Sequence, residues 1–92
     1  PAEEIAEALK HCKAVAVMDR SDSFNAHGGP VCAEVKSALY GLDKKPLVVN
    51  YIYGLGGRDV KVENIEEVYA ALEEIAAAGK VEDDYRYLSV RA

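Results

Sequence analysis

Ninety-two residues weighing 10.0 kDa make one domain at most, and a chain this short buries only about 60 to 65% of the surface it exposes when unfolded. Half of the residues are hydrophobic and 29% charged, with three prolines and no low-complexity tract, a profile that excludes disorder as the main state. Sixteen acidic against eleven basic side chains leave a net charge of -5, so the positive field that holds phosphate backbones is missing and nucleic acid is excluded as an expected partner.

Residues 2–12, AEEIAEALKHC, place Ile5, Ala8, Leu9 and Cys12 at helical spacing, with Glu3 and Glu4 in the first turn, where they suit the positive end of the macrodipole. This predicts an amphipathic helix. Residues 14–19, AVAVMD, form a short continuous apolar run ending in a charge, the habit of a strand covered on both faces in a parallel sheet. The stretch 21–29, SDSFNAHGG, is small, polar and glycine-containing, which reads as a loop on the carboxyl side of that strand. Loops there carry ligands in open α/β sheets. Pro30 suits the first position of a helix, and Val31, Val35, Ala38 and Leu39 then repeat with helical spacing up to Gly41.

Residues 47–53, LVVNYIY, are rich in β-branched and aromatic side chains and predict a second buried strand. Asn50 in its middle must find hydrogen-bond partners. GLGGRD at 54–59 has three glycines in four positions, a backbone able to turn sharply or press close to a neighbour. Ile65, Val68, Tyr69, Leu72, Ile75 and Ala76 mark a long helix over 63–78 closed by Gly79, whose glutamates Glu66, Glu67, Glu73 and Glu74 read as a solvated face. The tail, DDYRYLSVRA, is too apolar for a free end and is expected to dock.

The alternation implies an α/β fold, a mostly parallel sheet with helices on its faces and right-handed crossovers. Two strands make a thin sheet, and a leading helix normally follows a strand. Pro1 in place of Met and the lack of a basic leader before an apolar run add to the expectation of a fragment truncated on its N-terminal side. The longest apolar stretches, 14–18 and 47–49, fall far short of the roughly 20 residues that cross a bilayer, so no membrane association is expected.

Cys12 and Cys32 lie 20 apart without a CxxC or a histidine cluster, which points away from a metal site or a disulfide framework. Buried or half-buried thiols of a reducing cytoplasm are the better reading, and a cytoplasmic location follows as an expectation. GLGGRD lacks both the Walker Lys-Ser/Thr and the GxGxxG spacing; a tight turn with Gly56 or Gly57 at positive φ is the ordinary reading. HGGP at 27–30 places backbone N–H groups at a helix start, where an anion is welcome. Ser21, Ser23, Asp22 and His27 share a loop, but neighbourhood in sequence is not triad geometry. No catalytic residue is assigned.

Two segments, VAVMDRSDSFNAHGGPVCAEVKSALYG at 15–41 and VNYIYGLGGRDV at 49–60, resemble the carboxyl-terminal part of the α subunit of pyruvate:ferredoxin oxidoreductase, or pyruvate synthase, and its 2-oxoacid:ferredoxin oxidoreductase relatives. The matching signature is a strand ending in Asp19-Arg20, then Ser21, Ser23 and Phe24, a helix carrying Glu34, Val35, Lys36, Ala38, Leu39 and Tyr40, and a strand leading into Gly54, Leu55, Gly56, Gly57, Arg58 and Asp59. Asn25 stands where the family usually has glycine, and Lys61-Val62 stand where Thr-Pro often begins the last helix, which removes a good N-cap there.

The resemblance implies a transketolase carboxyl-terminal-like domain, three-layer α/β/α, spanning residues 1–92 without its preceding strand. It also implies an enzyme that oxidatively decarboxylates pyruvate to acetyl-coenzyme A and CO2 with reduction of ferredoxin, using thiamine diphosphate, Mg2+, [4Fe-4S] clusters and coenzyme A. None of these groups is expected to be bound by this fragment, which is taken to be inactive alone. Its partners would be the other domains of the same α subunit, the β, γ and δ subunits and, through the complex, ferredoxin. Two loops are the candidate interface or ligand-facing positions: Asp19, Arg20, Ser21, Ser23, Phe24, His27, Gly28 and Gly29, and Gly54, Leu55, Gly56, Gly57, Arg58 and Asp59. Two alternatives stand beside this reading: a small-anion or nucleotide-binding regulatory module using GLGGRD and HGGP, and a pure protein-interaction domain.

Overall fold

The computed structural model describes residues 1–20, 29–54 and 59–88. Within them the chain runs α1 (Ala2–Leu9), β1 (Ala14–Arg20), α2 (Pro30–Leu39), β2 (Leu47–Tyr53), α3 (Val62–Ala78) and β3 (Tyr85–Tyr87). The three strands form one sheet in the order β1-β2-β3, parallel throughout, with Ala14 opposite Leu47, Arg20 opposite Tyr53, and Ile52 opposite Tyr87.

β3 corrects the expectation of two strands. The apolar tail docks on the sheet itself: the Leu88 N–H donates to the Ile52 carbonyl at 2.8 Å and its side chain is 1% exposed. A strand of three residues is too short to show a period, so nothing in YRY distinguishes it from a loop.

Alternation along the strands builds two cores. Val15 and Val17 of β1 and Val48 of β2 face α1 and α2, packing with Ile5, Leu9, Cys32, Val35 and Leu39. Ala14, Ala16 and Met18 of β1 and Val49 and Tyr51 of β2 face the opposite way, against Val68, Leu72 and Ile75 of α3 and Leu88. This is the three-layer α/β/α, transketolase carboxyl-terminal-like class expected from the sequence. The expectation of uniformly right-handed crossovers is not met. β1 to β2 and β2 to β3 step the same way across the sheet while α2 and α3 lie on opposite faces, so the two connections have opposite hand. The physical reason is coverage: both strands are apolar on both sides, and with α1 and α2 sharing one face only α3 can dry the other.

Helix ends follow local chemistry. α1 stops at Leu9, three residues before its expected end, because the Cys12 N–H turns back to the Leu9 carbonyl at 2.9 Å, a tighter closure than the α-helical one. Cys12, past the end of the helix, is therefore exposed instead of lying on the apolar face and departs from the buried or half-buried thiol expected of it; Ala8, within the helix, is exposed as well. α3 closes at Gly79, φ 75°, whose N–H donates to the Ile75 carbonyl at 2.9 Å. Glu66, Glu67, Glu73 and Glu74 are exposed, as the helical period requires.

Candidate functional site at the carboxyl edge of the sheet

In a parallel sheet every strand points its carboxyl end the same way, and the register fixes which connections leave together. Arg20 ends β1 directly opposite Tyr53, which ends β2. The two candidate loops therefore depart from adjacent strands at one edge, and the helix that follows the first of them, α2, begins there as well. Of the candidate residues, Asp19, Arg20, Gly29, Gly54 and Asp59 are described; Ser21, Ser23, Phe24, His27, Gly28, Leu55, Gly56, Gly57 and Arg58 lie outside the described residues.

Asp19 is the centre of this edge. Alternation turns it to the same face as Val17, under the start of α2, where it is 3% exposed. Its Oδ1 accepts the Val31 N–H at 2.9 Å and its Oδ2 accepts the Cys32 N–H at 3.1 Å. A carboxylate thus satisfies two of the N–H groups that an α-helix leaves unpaired at its start, at the positive end of its dipole. The anion that HGGP invites is supplied by the chain's own aspartate.

Asn50 completes the arrangement from β2, at 1% exposure. Its amide nitrogen donates to Asp19 Oδ2 at 3.0 Å and to the Val17 carbonyl at 3.1 Å, and its Oδ1 accepts the Gly29 N–H at 2.8 Å. Every polar atom of this side chain is engaged, which is what permits an amide in the middle of an apolar strand. Gly29 is the N-cap of α2 in extended conformation, and a Cβ there would collide with the Asp19 carboxyl group. Its absence of a side chain is thus set by close approach.

The other described residues frame this centre. The Arg20 guanidinium lies 5.8 Å from the centroid of the Tyr53 ring, a cation-π contact between the last residues of the two strands. Gly54 takes φ 81° immediately after β2, so the left-handed turn expected at Gly56 or Gly57 has a described counterpart two residues earlier, while those two glycines are outside the described residues. Asp59 is exposed at the approach to α3.

Two neighbours titrate away from their ordinary ranges. Burial pushes the Cys32 thiol up; the nearby Lys36 ammonium opposes this and the Asp19 and Asp84 carboxylates reinforce it. The Tyr85 phenol is also pushed up, by desolvation first, then by its hydrogen bond with Tyr87 and by the Tyr87 and Asp19 charges. Tyr85 and Tyr87 meet edge to face at 5.5 Å between centroids. Asn50, Tyr85 and Tyr87 were not among the candidate site residues. The lone polar residue in LVVNYIY was the available signal for the first, while the tyrosines gave none beyond an apolar tail.

Among the described residues no group of three His, Cys, Asp or Glu side chains could hold a metal ion. The whole sequence holds two cysteines, one exposed before β1 and one buried in α2, against the four thiolates of a [4Fe-4S] cluster. The residues of this chain do not fit that group. No helix among the described residues is long and apolar enough to cross a membrane.

Comparison with known proteins agrees with this architecture. Residues 1–65 match the family described as pyruvate:ferredoxin oxidoreductase core domain II. The chain is 42% identical over 91 residues to pyruvate synthase subunit PorA of Thermotoga maritima, covering 99% of this chain and 22% of that one. It is 40% identical over 84 residues to ketoisovalerate oxidoreductase subunit VorA of Pyrococcus furiosus, covering 91% and 21%, and 37% identical over 79 residues to PorA of Methanosarcina barkeri, covering 86% and 20%. The chain spans about a fifth of the length of these relatives. With more than two thirds of its residues inside the matched region, the chain belongs to the pyruvate:ferredoxin oxidoreductase core domain II family.

Proposed function

We propose that this chain is an assembly domain within one subunit of a 2-oxoacid:ferredoxin oxidoreductase, non-catalytic in isolation, which presents the carboxyl edge of its sheet to the other domains and subunits that build the active site. The observation that carries this reading is the family match over residues 1–65. Relatives named as subunits of pyruvate synthase and of ketoisovalerate oxidoreductase support it, and a 2-oxoacid is the substrate class we propose. In the complete enzyme, thiamine diphosphate with Mg2+ would activate the 2-oxoacid, [4Fe-4S] clusters would carry electrons to ferredoxin, and coenzyme A would accept the acyl group. These groups belong to the remaining four fifths of the subunit and to partner subunits, the β, γ and δ chains of the complex. What this chain supplies is shape: a buried polar centre on Asp19 and Asn50 and two connections departing side by side.

The natural polypeptide, assembled with its partner subunits, should reduce ferredoxin in the presence of coenzyme A and either pyruvate or 2-ketoisovalerate, while residues 1–92 alone should reduce none. Ferredoxin reduction with neither acid would overturn the reading of the family's chemistry, and turnover by the isolated chain would overturn the assembly role. Calorimetric titration of the isolated chain with phosphate, coenzyme A and thiamine diphosphate should show no tight binding. The Val31 and Cys32 N–H groups that would serve an anion are already bonded to Asp19.

A further inference from the structure

We propose that Asp19 and Asn50 are a positioning pair that locks the carboxyl edge, fixing where the connection leaving β1 re-enters the fold as α2; the functional part of this rests on the assembly-domain reading above. Five hydrogen bonds carry it, and they join three separate elements. Val17 and Asp19 belong to β1, Asn50 to β2, and Gly29, Val31 and Cys32 to the first turn of α2. Any one of the three elements can shift relative to the others only by breaking bonds of buried groups. A buried polar group left without its partner costs about 1 to 3 kcal/mol.

Chemistry restricts the pair to these two residue types. Asp19 faces three donors and accepts from all of them; Asn50 faces two acceptors and one donor, and meets each with the right atom. No carbonyl or carboxylate could replace the Asn50 amide nitrogen between Asp19 Oδ2 and the Val17 carbonyl. A plain core residue would not need this complement. Leucine would fill the space at position 50 but would leave the buried Gly29 N–H without its acceptor and Asp19 Oδ2 without one of its donors. Asp19 is the last residue but one of β1, beside Arg20, and Asn50 reaches from the middle of β2 to Gly29, so the pair ties together the two residues that bracket the first connection. Its cost is therefore placed where geometry at the edge matters, which is the mark of a positioning device.

The test uses the natural polypeptide assembled with its partners. Asn50→Asp sets an acceptor against Asp19 Oδ2 and the Val17 carbonyl. Amide exchange at Gly29, Val31 and Cys32 should then accelerate at least about tenfold, the equivalent of one lost buried hydrogen bond, while Val68 and Ile75 in α3, on the opposite face, change by less than about twofold. Ferredoxin reduction should lose at least about tenfold in kcat, with KM for the 2-oxoacid within about threefold, because geometry and not substrate binding is disturbed. Asp19→Asn keeps the size and the Val31 bond, and serves if the first variant fails to fold. Combining the two restores a donor opposite an acceptor between the strands and should recover part of both the protection and the turnover. Acceleration of all amides alike, absence of any local change, or local opening with unchanged kcat would each overturn the proposal. Failure of the unaltered protein to oxidise either acid would instead remove the assembly-domain reading, and the exchange pattern would still decide whether the lock exists.

Discussion

At Gly29 one methyl group separates a folded edge from a broken one. The glycine needs no positive φ; its conformation is extended, φ -83° and ψ 163°, and any residue could adopt it. What forbids a side chain is the Asp19 carboxyl group lying where a Cβ would go. Gly29→Ala must displace Asp19 from Val31 and Cys32 or push α2 off the sheet, and overpacking of this kind costs about 1 to 3 kcal/mol. The urea midpoint should fall accordingly with an unchanged m-value; a midpoint within error of the parent would show that the edge yields freely. A second residue-scale consequence concerns Cys32, 2% exposed beneath the same turn. Its thiol is pushed above the ordinary thiol range mainly by burial, so above that range the unfolded chain releases its proton while the folded chain retains it. Folding stability is then complete below the ordinary thiol range and declines as pH rises through it. Comparing urea midpoints of the parent and Cys32→Ala between pH 7 and about pH 10 should show the parent's advantage narrowing with pH. The same asymmetry predicts that iodoacetamide modifies the exposed Cys12 and spares Cys32 in the folded protein.

Helix ends and strands differ in how far their causes lie from them along the chain. β2 is legible to the residue at Leu47–Tyr53, and α3 to within one residue at Val62–Ala78, since a hydrophobic period and a closing glycine are local signals. The weak start of α3 is equally local. Lys61 is its N-cap, a side chain with donors only, so it cannot accept an N–H from the first turn. Asn64 supplies the reciprocal half, its Oδ1 accepting the Lys61 N–H at 2.8 Å. Lys61→Ser adds the missing acceptor in a backbone already extended, φ -105° and ψ 167°, and should stabilise the protein by about 0.5 to 1 kcal/mol, read as a higher thermal midpoint. An unchanged or lower midpoint would mean that the Lys61 side chain contributes more than its cap position suggests. The candidate site was less legible. The sequence placed Asp19 at a strand end and demanded partners for Asn50, but the two bond across 31 positions and Asn50 meets Gly29 across 21. Pairings at that distance depend on strand register, which no window of the sequence contains. The three residues of β3 and the opposite faces taken by α2 and α3 escaped for the same reason, because both answer to the sheet as a whole.

On the scale of the whole molecule, stability concentrates at one late residue. A domain of this size works with a margin at the low end of about 5 to 15 kcal/mol, and one of its two cores is closed by Leu88, the residue just after β3. Leu88 is 1% exposed and packs with Val49, Tyr51, Val68 and Ile75, drawing on β2 and α3 together. It also holds β3 to the sheet through its N–H on Ile52. The Lys36–Asp84 ion pair that ties α2 to the approach of β3 is exposed and long at 3.5 Å, and pairs of that kind contribute about 0 to 1 kcal/mol. Burial of Leu88 is the larger effect. Leu88→Ala leaves a cavity between α3 and the sheet and should cost about 2 to 5 kcal/mol, enough to take half of the margin or more. Tyr87→Ala, one residue earlier but on the other face and 53% exposed, should cost well under half as much despite removing a larger side chain. Denaturant titrations of the two variants side by side decide the matter: equal losses would mean that β3 is held by its strand pairing and the tyrosine contact, and that the second core does not depend on the tail. If the ranking holds, the residues that close the fold come last in the described sequence, so α3 and β2 share a complete core only after the tail has docked, and the carboxyl edge is built on a sheet finished from its far side.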